Sequence, residues 1–330
     1  MTGPSERVVV VTGASSGVGR ACARAFGERG DFVGLLARNT EALGKAAAEI
    51  QETGGQAHVC TVDVTDPESI EAAAAAVEQR WGRIDVWVNN AMTTVVAPIV
   101  ETTAEEFRQV TESTYLGYVY GTKAALRRMI PANRGVIVQV GSALAYRSIP
   151  LQAAYCASKA GIRAFTDALQ TELLHQRSAV RVSQVHLPAV NTPQALRQRN
   201  KMPKQQQPVP PMFSPAVIAA AIVSAADRAP REVLLGLPTF RAVWGQRLIP
   251  GLLDRYVARA GWESQFIDQP NNQTGDILFD TLPGDPGAHG PYRDRESEAD
   301  ILMRFQSRPR SALTAVGTAV GNAITRLLSR

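Results

Sequence analysis

The chain has 330 residues, of which 45% are hydrophobic and 20% charged, as in an ordinary soluble globular protein. This length suits one large domain with an appendage. Cys22, Cys60 and Cys156 stand at unrelated spacings, so they predict no disulfide framework and no zinc site, and they favour a reducing compartment. The four histidines are scattered along the chain, and we expect no metal site.

The distribution of charge and apolar residues limits the possible partners. The sequence shows no signal-peptide pattern, and its longest apolar stretch, 216–226, is too short to span a bilayer, so we expect a cytoplasmic protein. The net charge is +5, and residues 301–330 contain five arginines and no acidic residue. Residues 1–300 are therefore balanced in charge, and we expect no nucleic-acid partner.

The N-terminus combines a strand, a glycine turn and a helix. Residues 7–12 are a β-branched run typical of a buried parallel strand, and residues 20–29 have a helical pattern. Between them the glycines follow a Gly-x-x-x-Gly-x-Gly spacing. Glycines let the backbone approach a pyrophosphate, and a helix N-terminus offers it unpaired N–H groups. The predicted dinucleotide-binding residues of this turn are Gly13, Ser15, Ser16, Gly17, Val18 and Gly19.

The end of the second predicted strand, 31–36, bears on the choice of dinucleotide. NAD-specific sites place an acidic residue about 20 residues past the glycines, where it binds the ribose 2′-hydroxyl. Here the matching position is Ala37, and Arg38 follows it. A guanidinium suits a 2′-phosphate, and the alternative is that Arg38 is a solvated residue before the helix predicted over 39–53. The pattern favours NADP.

A second group of polar residues lies near the middle of the chain. Tyr155 and Lys159 are four residues apart in a helical pattern over 152–175, so they share one helix face. A phenol has a pKa of about 10, and a neighbouring cation lowers it towards the range useful for acid/base work. Ser142 follows the apolar run 135–140, where a hydroxyl can donate a hydrogen bond to a substrate oxygen.

The glycine turn and the Ser–Tyr–Lys set together resemble the short-chain dehydrogenase/reductase family over residues 7–237. The resemblance implies an α/β fold of the Rossmann type, a doubly wound parallel sheet, and NADP-dependent hydride transfer to or from an alcohol/carbonyl substrate. It implies that Tyr155 donates or accepts the proton and that Lys159 lowers its pKa and binds the ribose. Ser142 would hold the reacting oxygen. A homo-oligomer is also expected.

The resemblance also implies cofactor contacts outside the glycine turn. Asp63 would lie beside the adenine, although an Asp at a strand end can also be a cap. The turn at 89–92 would lie under the cofactor, and Thr192 would contact the nicotinamide amide. The expected contacts are Asp63, Val64, Asn90, Ala91, Tyr155, Lys159, Pro188, Val190 and Thr192.

Three positions depart from the family pattern. Met92 and Ala189 replace glycines, and Thr114 stands where the family usually has an Asn that holds a water chain for proton delivery. We expect Thr114 to order a water near Lys159. These departures favour a rival interpretation, a nucleotide-binding scaffold without turnover, whereas the intact Ser–Tyr–Lys set opposes it. An epimerase or dehydratase relative is a third interpretation, but the extra acids of those enzymes are missing.

The long connection 193–215 is typical of a lid or a disordered segment, and the resemblance implies that it covers the substrate. Apolar residues near the site predict an apolar, fairly bulky substrate. These candidate pocket residues are Met92, Val95, Leu144, Tyr146, Ile149, Met202, Met212 and Phe213.

The resemblance divides the chain at residue 237 into a catalytic domain, 1–237, and an extension, 238–330. The pattern is helical over 238–260, with Trp244 and Leu252 among residues spaced by four, and loop-like over 268–300. Residues 311–328 form one apolar helix stripe flanked by arginines. This tail either docks on the protein or a second subunit, or lies on an anionic membrane; the lack of aromatic anchors favours docking.

Overall fold

The computed structural model describes residues 6–298, and within them the chain forms fourteen strands. The strands are β1 (Val8–Thr12), β2 (Phe32–Ala37), β3 (Gln56–Thr61), β4 (Val86–Asn89), β5 (Val95–Val96), β6 (Val136–Ser142), β7 (Arg181–Leu187), β8 (Ala189–Val190), β9 (Arg199–Asn200), β10 (Lys204–Gln206), β11 (Met212–Phe213), β12 (Glu232–Leu234), β13 (Phe266–Pro270) and β14 (Glu296–Ser297).

The same residues form ten α-helices and a few shorter helical turns. The α-helices are α1 (Gly17–Gly27), α2 (Thr40–Glu52), α3 (Pro67–Trp81), α4 (Ala104–Thr111), α5 (Gly117–Met129), α6 (Ala153–His175), α7 (Gln194–Arg197), α8 (Pro215–Arg228), α9 (Gly236–Leu248) and α10 (Pro250–Glu263).

Seven parallel strands form the central sheet in the order β12-β7-β6-β4-β1-β2-β3. Every residue of β1 is buried, which explains why its sequence is a continuous β-branched run without polar alternation. One face of the sheet packs on α1, α2 and α8, and the other on α3, α5 and α6. The predicted doubly wound α/β fold is confirmed, and the carboxyl ends of the strands share one edge where loops can build a site.

The helix boundaries follow from caps that the sequence supplies. Asp66 caps α3 with Pro67 in the first turn, and its side chain accepts a hydrogen bond from Glu68 N at 2.9 Å. Thr103 and Glu106 form a reciprocal capping box at the start of α4. The helical run from α4 to α5 is not uniform, because a π-helical turn, Glu112–Leu116, joins the two.

The predicted loop 193–215 is more ordered than its composition indicated. It contains α7 and the short strands β9, β10 and β11, and the last two pair with β13 and β14 of the extension. The extension therefore packs on the covering segment and does not stand apart from the body. The prediction of helices after residue 238 and of mostly loop beyond 268 is confirmed as far as residue 298.

Helices α9 and α10 carry an exposed apolar face. Leu248 is 72% exposed and Leu252 62%, and Trp244, Ile249 and Tyr256 are also exposed. The residues spaced by four in this stretch thus do not pack on the body. Among residues 6–298, no helix combines the length and the hydropathy needed to cross a membrane. The predicted tail helix, 311–328, lies outside the described residues.

Candidate active site

A cavity of about 470 Å³ opens at the carboxyl edge of the central sheet. Of the residues predicted for catalysis and cofactor binding, all but Gly19 and Thr114 line it. Those that do are Gly13, Ser15, Ser16, Gly17, Val18, Arg38, Asp63, Val64, Asn90, Ala91, Ser142, Tyr155, Lys159, Pro188, Val190 and Thr192. The fold therefore brings together residues that are far apart in the sequence.

The glycine turn between β1 and α1 is held from below by Asn90. Its side-chain amide donates to Thr12 O at 3.0 Å, and Thr12 Oγ1 accepts from Asn90 N at 2.9 Å. Gly13 has a φ of +68°, and a Cβ on Gly19 would collide with Gly13 O and the Asn90 amide. Gly19 does not line the cavity, but its lack of a side chain lets the turn pack closely against the end of β4.

The N-terminus of α1 faces the cavity without a side-chain cap. Ser16 occupies the N-cap position, and its side chain makes no capping hydrogen bond. Gly17, at the first position of the helix, donates its N–H to Gly287 O at 3.0 Å. The site predicted for a pyrophosphate is thus reached by a part of the extension that sequence reasoning had not connected with it.

Arg38 follows β2 and lines the cavity, but its guanidinium is already bound. Nη2 donates to Ile277 O at 2.6 Å and Nη1 to Phe279 O at 2.7 Å. The solvated alternative is wrong for this arginine, because its partners come from the extension about 240 residues later in the chain. Its proposed role towards a 2′-phosphate stays a prediction.

Asp63 caps the end of its strand, which is the alternative to a contact with adenine. Its carboxylate accepts hydrogen bonds from Thr65 N and Thr65 Oγ1, both at 2.9 Å, and so shapes the turn after β3. Asp63 and Val64 also line the cavity. A contact with adenine remains compatible with this geometry, and it is still a prediction.

Ser142 is the last residue of β6, and Tyr155 is the third residue of α6. Both line the cavity. Burial raises the pKa of Tyr155 above its usual value, and the nearby Ser142 side chain offsets part of that rise. The phenol is partly open to the cavity but surrounded by protein atoms. The predicted lowering of this pKa by Lys159 is therefore not what the structure shows, because desolvation dominates. Two adjacent hydroxyls can hold a carbonyl oxygen and supply it with a proton.

Lys159 lies beneath Tyr155 and is only 2% exposed. Its ammonium is 5.6 Å from the Tyr155 ring centroid and donates to Val140 O at 2.8 Å and to Tyr118 Oη at 2.9 Å. Burial lowers the pKa of Lys159 to about 7. The third N–H of the ammonium is left for another acceptor.

Tyr118 is a site residue that sequence reasoning missed. It is 1% exposed, and its hydroxyl donates to Val140 O at 3.0 Å while it accepts from Lys159. Burial raises the pKa of Tyr118 well above its usual value, so the phenol stays neutral. Its spacing of four from Thr114 could have placed it on the same helical face.

Thr114 lies in the π-helical turn and is fully buried. Its hydroxyl donates to Thr93 O at 2.8 Å and accepts from Thr93 N at 3.1 Å. Both roles of the hydroxyl are thus used by one backbone unit next to the turn under the cavity. The structure gives Thr114 a bracing role there, and its role towards a water stays a prediction.

The lining of the cavity combines predicted apolar residues with polar ones. Met92, Leu144 and Ile149 line it as expected, but so do several glutamine side chains. The glutamines that line the cavity are Gln109, Gln152, Gln194, Gln198, Gln206 and Gln207. Of the other predicted lining residues, Val95, Met212 and Phe213 are buried in the protein interior, and Met202 and Tyr146 lie away from the cavity wall.

Tyr146 and His186 belong to a polar cluster behind Ser142. Glu232 lies 3.0 Å from His186 Nε2 and accepts a hydrogen bond from the Tyr146 hydroxyl. These two contacts lower the pKa of Glu232 to about 2, and the contact with His186 has the larger effect. His186 Nδ1 is 3.2 Å from Ser142 O. The cluster therefore braces the end of β6. Within residues 6–298, no group of three or more His, Cys, Asp or Glu residues is arranged to hold a metal.

A sheet of this order, a glycine turn without a cap and a Ser–Tyr–Lys cluster at the same cavity define a nucleotide-dependent oxidoreductase architecture. The model of the family described as short chain dehydrogenase matches residues 7–203. The chain belongs to the short-chain dehydrogenase/reductase family.

Curated relatives resemble most of the chain. The uncharacterized oxidoreductase YxnA of Bacillus subtilis (strain 168) is 30% identical over 272 residues, which covers 81% of this chain and 76% of the relative. Dehydrogenase/reductase SDR family member 7B of Bos taurus is 34% identical over 262 residues, which covers 76% of this chain and 80% of the relative.

Solved structures also resemble the body of the protein. An alcohol dehydrogenase from the archaeon Thermococcus sibiricus, complexed with 5-hydroxy-NADP, is similar with a TM-score of 0.60 and 30% identity, over 69% of this chain and 93% of that one. An actinorhodin polyketide ketoreductase with NADPH is similar with a TM-score of 0.56 and 36% identity, over 59% of this chain and 75% of that one.

Proposed function

We propose that the protein transfers a hydride between NADP(H) and a small alcohol/carbonyl substrate. The observation that carries this proposal is that Ser142, Tyr155 and Lys159 line one cavity, with the Lys159 ammonium 5.6 Å from the Tyr155 ring centroid. The uncapped start of α1 and the close approach permitted by Gly19 fit a dinucleotide pyrophosphate on the same cavity wall.

The residues divide the chemistry between them. A nicotinamide, when bound, supplies or accepts the hydride. Ser142 orients the reacting oxygen by a hydrogen bond. Tyr155 keeps its proton at neutral pH because burial raises its pKa, so it suits the role of general acid as a carbonyl oxygen gains negative charge. Lys159 adds positive charge below the phenol and has an N–H left for a ribose hydroxyl.

Two features support NADP over NAD. Ala37 leaves the end of β2 without an acid for a ribose 2′-hydroxyl, and Arg38 stands next to it at the cavity. The similar solved structures were determined with 5-hydroxy-NADP and NADPH. Replacing Ala37 with Asp and Arg38 with Gln should weaken NADPH binding and improve NADH binding. Equal affinity of the wild-type protein for the two cofactors would remove this part of the proposal.

The substrate proposed for the cavity has a carbonyl or hydroxyl group on a partly apolar body. Met92, Leu144 and Ile149 provide apolar contacts, while Gln152 and Gln207 provide polar ones. The expected cytoplasmic location and homo-oligomeric state belong to this proposal as well.

The decisive test is Tyr155→Phe, which removes the proton but keeps the ring. We expect NADPH to bind as before and turnover with a carbonyl panel to fall by about 10²–10⁴-fold, the usual contribution of general acid/base catalysis. The control Tyr256→Phe, on the exposed face of α10, should keep full turnover. Near-wild-type turnover in Tyr155→Phe would falsify the assignment.

The departures Met92, Thr114 and Ala189 keep one rival function in view, a nucleotide-binding scaffold. That rival predicts a wild-type protein that binds NADPH but oxidises it with no member of a broad carbonyl panel. Measured NADPH oxidation with any carbonyl eliminates the scaffold.

A further inference from the structure

Residues 276–287 of the extension, here called the strap, run across the nucleotide end of the cavity. Leu278 anchors the strap: it is fully buried in a cluster with Val95, Val110 and Ala154, and its carbonyl accepts from Gln109 Nε2 at 3.1 Å. The strap residues Ile277, Thr281, Leu282 and Pro286 line the same cavity as the glycine turn. The strap is therefore one wall of the proposed cofactor site.

The first point of contact is Arg38. Each of its two terminal nitrogens donates to a strap carbonyl, Ile277 O at 2.6 Å and Phe279 O at 2.7 Å. A phosphate binds a guanidinium by the same pair of nitrogens. A 2′-phosphate that binds these two nitrogens would therefore approach the atoms that the strap already contacts, where each nitrogen keeps only its second N–H.

The second point of contact is the start of α1. Gly17 N–H donates to Gly287 O at 3.0 Å, although an uncapped helix N-terminus is also the place where a pyrophosphate binds. The carbonyl of Gly287 thus takes a donor that the cofactor would use. Asn39, next to Arg38, is held too, because its side chain donates to Leu282 O at 2.9 Å.

A carboxylate fixes the strap between these two points. Asp285 accepts two hydrogen bonds from the guanidinium of Arg20, one of them at 3.1 Å. Arg20 lies on α1, is 2% exposed and is also paired with Glu49 at 2.9 Å. Asp285 bonds to neither Arg38 nor the Gly17 N–H, so it can be changed without removing a donor that the cofactor is proposed to use.

We infer that the strap competes with the cofactor for Arg38 and the α1 N-terminus, and so sets both the affinity and the selectivity of the nucleotide site. This inference rests on the proposed use of NADP(H). A phosphate binds a guanidinium more strongly than two neutral carbonyls do, so NADPH can displace the strap. NADH carries no 2′-phosphate and gains nothing at Arg38. The strap therefore lowers the apparent affinity for every dinucleotide, and NADPH alone recovers part of the loss.

The test is a direct binding measurement on the full-length protein with adenosine 2′,5′-bisphosphate, which carries the 2′-phosphate and undergoes no hydride chemistry. Asp285→Ala loosens the strap, and its affinity for this probe should rise about fivefold, the effect of losing one partly exposed ion pair that favours the closed strap. Asp280→Ala, at an exposed aspartate of the same strap that is not a partner of Arg20, should bind like the wild-type protein. Weaker or unchanged binding by Asp285→Ala would overturn the inference.

Hydrogen exchange of the wild-type protein gives a second readout that needs no variant to fold. Addition of the probe should speed exchange of the amides within 279–287, because a displaced strap is more open to solvent. Slower exchange there would show that the strap closes on the nucleotide, contrary to the inference. If neither the wild-type protein nor Asp285→Ala binds the probe or NADPH, the proposed cofactor fails together with the strap; equal binding by both proteins overturns the strap alone.

Discussion

Lys159 is the residue whose surroundings most strongly affect the charge of the site. It is buried without a carboxylate among its hydrogen-bond partners, which are Val140 O and the Tyr118 hydroxyl. Neutral acceptors repay only part of the cost of desolvating a cation, which explains a pKa of about 7. Near neutral pH a small change in these partners alters the fraction of lysine that is charged.

Tyr118→Phe removes one of the two acceptors and keeps the ring. The charged form of Lys159 then loses stabilisation and its pKa falls further. We expect turnover at pH 7 to drop roughly tenfold, as for the loss of a hydrogen bond to a charged group, and the decline of turnover with rising pH to begin at a lower pH. The pH profiles of Tyr118→Phe and of the control Tyr120→Phe check this expectation. A shared profile would show that Tyr118 only fills space.

The pKa of Lys159 also predicts how stability depends on pH. Its folded-state pKa of about 7 is below the unfolded value of about 10.4, so between these values the unfolded chain binds more protons. Stability contributed by this group therefore rises with pH over that window. The free energy of unfolding, measured by denaturant at pH 7 and pH 9.5, should rise less in Lys159→Met than in wild type. Lys123→Met, at an exposed lysine, should keep the wild-type difference.

Residues near each other in the sequence were predictable, and those that depend on distant partners were not. Ser142, Tyr155 and Lys159 meet because one strand and the next helix carry them, so their spacing was informative. Arg38 takes partners 239 and 241 residues away, and nothing in the local sequence indicates them. Thr114 was predicted at a water chain, whereas its hydroxyl is used by Thr93 across a turn.

At the scale of elements, the turn between β1 and α1 depends on a close approach at Gly19. A Cβ at this position would collide with a backbone oxygen of the turn, which cannot move away as a flexible side chain would. Gly44, within α2, has open space where its Cβ would lie. The two glycines therefore separate the effect of a close approach from ordinary helix propensity.

Gly19→Ala should lower the free energy of unfolding by about 1–3 kcal/mol, as overpacking does, and weaken NADPH binding because the turn moves. Gly44→Ala should instead raise it by up to about 1 kcal/mol, since alanine is the better helix former. Thermal and denaturant unfolding of the two variants checks the difference in sign. A stable Gly19→Ala protein with normal NADPH binding would contradict the role given to this turn.

The elements of the central sheet were predictable because each is a long run with its own pattern. The strands β9, β10 and β11 have only two or three residues, and they exist because partners elsewhere in the chain complete their hydrogen bonds. A loop-like composition is therefore compatible with an ordered covering segment. The π-helical turn that contains Thr114 was likewise invisible in a helical pattern that continues on both sides.

At the scale of the whole molecule, charge and apolar surface are unevenly distributed. Helices α9 and α10 expose Leu248, Leu252 and Tyr256, and a contiguous exposed apolar set is typical of a contact surface. The excess charge of the chain, in contrast, lies in residues 301–330. Both features belong to the extension, whereas the central sheet and the Ser–Tyr–Lys cluster belong to the part that resembles the family.

Deletion of residues 301–330 tests whether the tail docks or binds a membrane. It removes five arginines and no acidic residue, so the net charge falls from +5 to 0. Docking, the expected outcome, predicts a lower melting temperature or a changed oligomeric mass. The reason is that the surface on which the apolar stripe of 311–328 would dock is left uncovered. Light scattering and thermal unfolding of the full-length and shortened proteins measure these effects. An unchanged mass and melting temperature, together with full-length protein that sediments with anionic vesicles at low salt while the shortened protein does not, would show that the tail binds membranes instead.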